Sequence, residues 1–387
     1  MRILFLSAWF PHPPSNGSRL RVNALLRVLA PRHEVTLLSF ADEPDIDPAA
    51  PQLAALCRSV QVLPRPSFDP TDWRSRLAFL SPRPRSLAAT YSAAMADAVR
   101  RAAPSADVVV ASQLACAAYA PSFAGVPALF EEVELGALRG QLDQMAGPRR
   151  WRVRLMWAKH RRYLRRLLGH FRACTVVSEV EKQHLAGVRG STPAIHVLPN
   201  GVAVADYDAI AATPEPDTLI FTGSLRYQPN YDAMRWFITA AWPAVLRARP
   251  DARLIITGAR GELPLPAAAN VVQTGFVDDV RPLIGSAWLS IAPILAGGGT
   301  RLKILESMAA RTPVVATSKG AEGLDVRPDQ HLLIADDSAA FAAHVVALLS
   351  DATLRARLSR AARALVETHY DWRTLGPQFA TLVESLA

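Results

Sequence analysis

Residues 293–310 read PILAGGGTRLKILESMAA, and this stretch decides the fold of the second half of the chain. The apolar run before it predicts a strand that ends near Pro293. Apolar residues at helical spacing then predict a helix over Thr300–Ala310. The glycines at 297–299 free the backbone between the two elements. In parallel α/β proteins, such a strand-to-helix junction is where ligands bind.

The same stretch predicts a phosphate site. Backbone N–H groups at a helix N-terminus bind anions, and here they belong to Gly297, Gly298, Gly299 and Thr300. Arg301 and Lys303 add positive charge, and Glu306 lies where a carboxylate could accept hydrogen bonds from ribose hydroxyls. The alternative is a flexible loop before an ordinary helix. The stretch matches neither the P-loop nor the GxGxxG fingerprint, which argues against an ATPase and a simple dehydrogenase.

Strands and helices alternate along the whole chain, which is typical of parallel α/β sheets. Predicted strands lie at Arg2–Ser7, Glu34–Phe40, Val60–Leu63, Asp107–Ala111, Ala128–Phe130, Ala173–Val177, Ile195–Leu198, Thr218–Thr222, Arg253–Thr257, Asn270–Gln273, Trp288–Ile291, Pro313–Ala316 and His331–Ile334. Predicted helices lie at Leu20–Leu29, Tyr231–Arg249, Val280–Gly285, Thr300–Ala310, Ser338–Ser350, Ala352–Thr368 and Trp372–Leu386. A stretch rich in Asp, Ala and Pro at 203–217 predicts a linker. We therefore expect two doubly wound Rossmann-like domains facing a cleft.

Composition excludes several classes of protein. Of the 387 residues, 50% are apolar and 20% are charged, an ordinary globular balance. The three cysteines show no paired spacing, which excludes a disulfide scaffold and gives no support to a zinc or CxxC site. We expect reduced thiols in a cytosolic protein. The apolar runs are too short for a transmembrane helix, which needs about 18 residues.

The positive charge is concentrated in one half of the chain. Residues 1–200 carry 26 Lys and Arg against 15 Asp and Glu, or +11, whereas residues 201–387 carry 17 against 19, or −2. This asymmetry indicates an anionic partner for the first half, such as a membrane or a nucleic acid.

The stretch from Gly297 to Ala316 resembles the donor-site motif of family 4 (group 1) glycosyltransferases, in a glycine-rich bacterial subgroup that carries GTR-x-K. Further stretches resemble signatures of this family in the same order, and they are Phe10–Gly17 with Arg21, Thr175–Glu179, Leu198–Val202, Phe221–Leu225 and Thr274–Asp278. The resemblance implies the two-Rossmann-domain (GT-B) fold. It implies an N-terminal, acceptor-side domain over 1–202, joined by the last helix at 372–387, and a nucleotide-sugar-binding domain over 203–371.

The resemblance also implies residue roles. The residues expected to help bind the donor are Gly17, Gly223, Arg226, Phe276 and Val277, together with Gly297–Thr300 and Glu306. The chain departs from the family at two places. The first Glu of the usual donor motif is replaced by Gly298, and the usual Arg and Lys after the first strand of the second domain are replaced by Ser224 and Asn230. Because a departing diphosphate needs positive charge, we expect Arg301 and Lys303 to supply it.

Polar residues also follow the predicted strands of the first domain. Arg19 and Arg21 begin the first helix, and we leave open whether either faces the cleft. Glu131 and Glu134 follow the strand at 128–130, where a carboxylate could orient an acceptor hydroxyl or take its proton. Of these two, Glu134 is our candidate catalytic residue. The alternative is a solvated acidic loop that pairs with nearby Arg.

The segment 149–172 is rich in Arg, Lys and His, and its apolar residues recur at helical spacing. This predicts a basic amphipathic helix that binds an anionic membrane surface, or an ordinary domain helix with a solvated basic face. The sequence has no nucleic-acid-binding motif, so we expect no nucleic acid partner.

Asp206-Tyr207-Asp208 has the DxD form of metal-dependent glycosyltransferases of a different fold. Because it lies in the predicted linker, we interpret it as chance and expect neither a metal nor another cofactor.

The resemblance implies a retaining hexosyltransferase that moves sugar from a nucleotide sugar to a glycan or lipid-linked acceptor, in polysaccharide or glycolipid synthesis. We expect a cytoplasmic protein that can lie on the inner face of the plasma membrane. The alternatives are a nucleotide-sugar epimerase or hydrolase of the same fold, and a non-catalytic nucleotide- or membrane-binding protein.

Overall fold

The computed structural model describes residues 1–43, 46–136, 149–188, 193–210, 212–298 and 301–387. The chain forms two compact units. The first comprises residues 1–199 and 376–387, and the second comprises residues 200–375. These bounds lie within five residues of the predicted domain ends at 202 and 371.

The described residues of the first unit form a sheet of seven parallel strands in the order β3-β2-β1-β4-β5-β6-β7. The strands are β1 (Arg2–Ser7), β2 (Glu34–Ala41), β3 (Ser59–Pro64), β4 (Val108–Ser112), β5 (Ala128–Glu131), β6 (Ala173–Val176) and β7 (Ala194–Val197). The central strands are buried on both faces, as expected for a parallel sheet covered by helices. Each predicted strand of this unit is present.

Helices cover the first sheet, and several were not predicted. They are α1 (Gly17–Leu29), α2 (Pro51–Ala54), α3 (Trp73–Leu77), α4 (Arg85–Ala89), α5 (Ala93–Ala102), α6 (Gln113–Ala117), α7 (Arg149–Leu168) and α8 (Glu179–Ala186). Asn16 caps α1 by accepting from the Arg19 N–H at 3.0 Å, which places the helix start before the predicted Leu20.

The described residues of the second unit form a sheet of six parallel strands in the order β10-β9-β8-β11-β12-β13. The strands are β8 (Glu215–Thr222), β9 (Arg253–Thr257), β10 (Val271–Gly275), β11 (Ala287–Ala292), β12 (Val314–Ala316) and β13 (Leu333–Ile334). Both units therefore belong to the α/β class, as predicted.

The helices of the second unit correct two predictions. They are α9 (Ala205–Asp208), α10 (Gln228–Trp236), α11 (Trp242–Ala248), α12 (Arg281–Ser286), α13 (Leu302–Ala309), α14 (Ser338–Ser350) and α15 (Ala352–His369). The predicted linker at 203–217 is wrong, because it contains α9 and the start of β8. The single helix predicted over Tyr231–Arg249 is also wrong, because the π-helical turn Phe237–Ala241 separates α10 from α11.

The last helix, α16 (Trp372–Glu384), begins in the second unit and ends in the first. Within the first unit, its Glu384 accepts from His33 Nε2 at 2.9 Å, and Phe379 and Val383 are buried. Among the described residues, no single helix is long and apolar enough to cross a membrane. The pair α14 and α15 passes such a test by length and composition only, and it is bent by 101°.

Candidate active site

Gly223 follows β8 with a left-handed backbone, at a φ of +142°. A Cβ atom there would lie 2.8 Å from Asn230 Nδ2 and 2.9 Å from Lys303 Nζ, so only glycine leaves room for both side chains. Asn230 Nδ2 in turn donates to the Ser224 carbonyl oxygen at 2.9 Å, which closes the loop after β8. Residues from β8, α10 and α13 therefore meet at one strand end.

Lys303 reaches this loop from the first turn of α13. Its Nζ donates to Asn230 Oδ1 at 2.9 Å and lies 3.9 Å from the centroid of the Phe221 ring, a cation–π contact. Burial lowers the pKa of the Lys303 amine to about 7, and the Arg301 charge acts in the same direction, whereas Glu306 opposes it. The resemblance expects a cation at two positions after β8, which Ser224 and Asn230 occupy in this chain. The Lys303 amine lies beside one of them, Asn230.

Arg301 lies just before α13 rather than inside the helix. The described helix begins at Leu302, and the approximate predicted start at Thr300 lies outside the described residues. The Arg301 side chain is buried, and its Nη1 donates to the Gly298 carbonyl oxygen at 2.7 Å. The guanidinium therefore holds the glycine loop in shape.

The glycine loop is described only in part. Gly297 has a φ of +102°, and a Cβ atom there would lie 2.9 Å from Tyr227 Oη. The predicted phosphate ligands Gly299 and Thr300 lie outside the described residues.

Glu306 lies one turn beyond Lys303 and is half-buried. The Tyr207 hydroxyl lies near its carboxylate. Burial raises the pKa of Glu306, against the opposing effects of the Lys303 charge and the neighbouring Tyr207 hydroxyl. The pKa of Tyr207 is raised as well, by burial first and then by the Glu306 charge. The carboxylate predicted to bind ribose thus lies beside a phenol to which the sequence motifs assign no role.

Tyr207 is the middle residue of the DxD stretch, whose carboxylates are engaged elsewhere. Asp208 pairs with Arg363 at 2.8 Å, and Asp206 lies 4.0 Å from Arg281. Within the described ranges, no group of three or more His, Cys, Asp or Glu side chains could hold a metal ion. The stretch contributes to the site through its aromatic residue, which a search for acidic motifs does not detect.

The remaining predicted donor residues lie at the surface. Arg226 is exposed on the loop after β8, where its N–H donates to Ser224 Oγ at 3.3 Å. Phe276 follows β10 and is 60% exposed, and Val277 beside it is half-buried. Between described residues, the structure shows no hydrogen bond, ion pair or cation–π contact that joins these side chains to Lys303 or Glu306.

In the first unit, Gly17 opens α1 and is exposed. The two arginines that follow it are buried in ion pairs. Arg19 pairs with Asp42 at 2.8 Å, and Arg21 Nε pairs with Glu131 at 2.6 Å. Both side chains are therefore engaged in buried ion pairs within this unit.

Glu131 is not available to an acceptor. It is fully buried, and Ser112 Oγ donates to its second oxygen at 2.8 Å. Arg21 also donates to the carbonyl oxygens of Leu198 and Pro199, each at 3.1 Å. The interpretation of Glu131 as a residue that orients the acceptor is therefore wrong, because this carboxylate ties α1 to β5 and to the chain after β7.

Glu132, between the two carboxylates singled out from the sequence, lies at the end of β5. It is half-buried, while Glu134 is exposed two residues further along. Gln113 Nε2 donates to Glu132 Oε2 at 2.8 Å. Burial raises the pKa of the Glu132 carboxyl to about 7; the Arg21 charge opposes this, and the charges of Glu131 and Glu134 add to it. Residue type alone does not indicate that the middle carboxyl of this acidic run is the one whose pKa is raised.

Two family models match the chain in the expected order. One, described as Glycosyltransferase Family 4, matches residues 15–206, and the other, described as Glycosyl transferases group 1, matches residues 216–351. The chain belongs to the family 4 (group 1) glycosyltransferases. The predicted family is thus confirmed.

Two curated relatives of this glycosyltransferase family member are mannosyltransferases. A phosphatidyl-myo-inositol mannosyltransferase of Mycobacterium leprae (strain TN) is 32% identical over 206 residues, which are 49% of this chain and 53% of that protein. A GDP-mannose-dependent monoacylated alpha-(1-6)-phosphatidylinositol monomannoside mannosyltransferase of Corynebacterium glutamicum is 26% identical over 252 residues, 58% of this chain and 65% of that protein. The matches thus span about half to two thirds of the length of these relatives.

Solved structures resemble this family member over its whole length. Anabaena HepE in complex with UDP and glucose has a TM-score of 0.70 at 16% identity, covering 100% of both chains. Sucrose-phosphate synthase from Thermosynechococcus elongatus has a TM-score of 0.70 at 16% identity, covering 100% of this chain and 99% of that chain. At such identities the likeness concerns the fold, and it confirms the predicted pair of Rossmann-like domains.

Proposed function

We propose that this glycosyltransferase moves a hexose from a nucleotide sugar to a hydroxyl group of a glycolipid or glycan, with retention of configuration. The observation that carries the proposal is the position of Lys303. Its Nζ lies at the carboxyl end of β8 beside Gly223 and Asn230. The carboxyl ends of parallel strands are where nucleotides bind in such folds, and a diphosphate leaving group needs a cation there.

In the proposed reaction, the bond between the sugar C1 and the β-phosphate oxygen breaks, and its electron pair leaves with the nucleoside diphosphate. The acceptor oxygen forms a new bond to C1 on the same face of the sugar, and its proton passes to the departing phosphate oxygen. Lys303 and Arg301 stabilise the negative charge that develops on this group. Glu306, which lies beside Tyr207, accepts hydrogen bonds from the ribose hydroxyls. The reaction needs no metal ion if these two cations neutralise the leaving group.

The relatives support a donor and acceptor class. Both are named as mannosyltransferases that act on phosphatidylinositol lipids, and one is named as dependent on GDP-mannose. The HepE structure contains bound UDP and glucose. We therefore propose a polyol-containing lipid or glycan as the acceptor, with GDP-mannose and UDP-glucose as the first donors to test.

We further propose that the first unit lies on an anionic membrane through one surface, the lipid face, formed by α7 and segment 68–80. The exposed apolar side chains on this face are Phe68, Trp73, Leu77, Phe79, Leu80, Trp151, Leu155 and Met156. Lys159 Nζ donates to the Phe79 carbonyl oxygen at 3.0 Å and so joins the helix to the segment. Aromatic and aliphatic side chains beside exposed Arg162, Arg165 and Arg166 suit the boundary between anionic headgroups and acyl chains. We propose the cytoplasmic face of the plasma membrane.

A ligand screen followed by product analysis tests the activity. UDP, GDP and ADP are compared by thermal shift, because a bound ligand raises the apparent stability. GDP-mannose and UDP-glucose are then incubated with and without phosphatidylinositol in detergent micelles. A transferase forms a mannosylated or glucosylated lipid. An equal rate of donor turnover with and without phosphatidylinositol, and no glycosylated lipid, would indicate the hydrolase or epimerase. Nucleotide binding without turnover would indicate a non-catalytic protein.

A further inference from the structure

Three neighbouring strands of the first sheet end beside one another, and each is followed by a polar or aromatic side chain. The order β1-β4-β5 places Trp9, Gln113 and Glu132 at the same edge. Ser112 pairs with Glu131 in the register of β4 and β5, so Gln113 and Glu132 each come one residue after a paired position. All three side chains are half-buried, and none of them takes part in the donor chemistry proposed above.

The backbone at two of these positions is unusual. Gln113 has a φ of +63° and Glu132 a φ of +58°, so two residues other than glycine adopt the left-handed conformation at adjacent strand ends. This conformation is uncommon for side chains of this size. Such residues cluster at active sites and ligand-binding sites, where the surrounding structure holds them in place.

A chain of hydrogen bonds fixes the side chains. Trp9 Nε1 donates to Gln113 Oε1 at 2.9 Å. Because an indole N–H can only donate, the amide oxygen faces Trp9 and the amide nitrogen faces Glu132 Oε2, at 2.8 Å. The same nitrogen lies 3.4 Å from Ser18 Oγ.

The Glu132 backbone is held as well, because its N–H donates to Thr175 Oγ1 at 2.9 Å. Glu132 is therefore held by Trp9 and Gln113, which follow β1 and β4, and by Thr175 of β6. Among the described residues, the structure shows no hydrogen bond to its second oxygen, Oε1.

The charges around Glu132 restrict what could bind to Oε1. The charged groups that act on it are Arg21, Glu131 and Glu134, and the nearby Gln113, Ser18, Thr175 and Trp9 are neutral. The half of the chain that contains it carries an excess of +11, which disfavours a cationic ligand. A neutral hydroxyl donor suits a partly exposed carboxylate with one oxygen already engaged.

We propose that Glu132 Oε1 binds the acceptor by accepting a hydrogen bond from a hydroxyl of a polyhydroxylated ring, either a sugar or a cyclitol. Gln113 is a positioning residue, because it holds Glu132 without reaching the acceptor. The inference rests on the proposed function and identifies the acceptor-binding group of the first unit. It moves this role from Glu134 to Glu132.

The test measures acceptor and donor KM separately in Glu132→Gln, Gln113→Asn and wild type, with the full chain. The acceptor probes are phosphatidylinositol in detergent micelles for the cyclitol and n-octyl α-mannoside for the sugar. GDP-mannose and UDP-glucose are the donors. Glu34→Gln is the matched control, since Glu34 is an exposed carboxylate at the opposite end of the same sheet and pairs with Arg58.

Glu132→Gln should raise the KM of the accepted probe by about 10- to 100-fold, the usual effect of losing a charged hydrogen-bond acceptor, while the donor KM changes less than about twofold. In wild type, the acceptor KM at saturating donor should fall as the pH rises through about 7, because the carboxylate must be ionised. Glu132→Gln should remove this pH dependence. Gln113→Asn, which keeps a residue type that tolerates the left-handed backbone, should raise the acceptor KM less.

The proposal is overturned if Glu132→Gln keeps the wild-type acceptor KM and its pH profile. It is also overturned if this variant raises the donor KM and leaves the acceptor KM unchanged. If Glu132→Gln does not fold, Gln113→Asn decides by the same readouts. A wild-type protein that neither binds nucleotides nor turns over either donor contradicts the proposed function itself. That result is distinct from a wild-type transferase that is insensitive to Glu132.

Discussion

Replacing Lys303 by Met tests the site most directly, because the amine has a defined hydrogen-bond partner and its burial lowers its pKa. Lys303 Nζ lies against Asn230 Oδ1 and the Phe221 ring, and burial lowers its pKa to about 7. The amine is thus about half protonated at neutral pH in the absence of ligand. A bound diphosphate favours the ammonium form, so the site must take up a proton as the nucleotide binds.

The size of the effect follows from the pKa. If the amine must be protonated in the complex, binding weakens as the pH rises above about 7. Between pH 7 and pH 8.5 the expected loss is about 15-fold in affinity, or about 1.6 kcal/mol. Lys303→Met should bind more weakly at pH 7 and lose this slope. The Met side chain has a similar length and can still pack against Phe221.

The assay is an equilibrium titration with the nucleoside diphosphate that gives the largest thermal shift. The pH range of about 7 to 8.5 lies above the terminal phosphate pKa of about 6, so the charge of the ligand stays nearly constant. Arg235→Met, an exposed cation on α10, is the control for the loss of one positive charge. A wild-type affinity that does not change with pH, or a slope that persists in Lys303→Met, would refute the assignment of this amine to the diphosphate.

Three further predictions concern the other charged groups. Glu306→Ala should weaken nucleoside diphosphate binding by about 1–3 kcal/mol in calorimetry, because a charged hydrogen-bond partner of the ribose is lost; unchanged affinity in a folded variant contradicts this role. Arg301→Ala should lower kcat by about 10²–10³ in steady-state assays and Arg226→Ala by much less, and the reverse order would show that the positive charge is not supplied by the glycine loop. Replacing Arg162 and Arg165 by Gln should weaken binding to phosphatidylglycerol vesicles by about 1 kcal/mol per charge at low salt, and equal binding there would favour an ordinary solvated helix.

Elements with strong local signals were predictable from the sequence. Strand Arg253–Thr257 and helix Ser338–Ser350 have the predicted bounds, because a short apolar run and a long periodic segment with an Asp cap each specify their own conformation. The short helices Gln113–Ala117 and Glu179–Ala186 were missed, since about two turns carry too little periodicity to stand out.

The chemistry of the site was predictable only where charge and glycine lie together in sequence. Lys303 could be singled out beside the glycine loop, but its contact with Asn230 joins residues 73 positions apart. The burial of Arg21 depends on Glu131, which is 110 positions away. A left-handed backbone at Glu132 has no signal in residue type, because it is imposed by the tertiary structure.

The second unit interrupts the first in the chain, and this has a consequence for folding during synthesis. Residues 1–199 contain all seven described strands of the first sheet, yet residues 376–387 are translated only after the whole second unit. Until then, the apolar partners of Phe379, Val383 and Leu386 lack their cover. When synthesis has reached residue 375, the second unit therefore has all its residues made, whereas the first unit still lacks its last segment and leaves apolar surface exposed to chaperones.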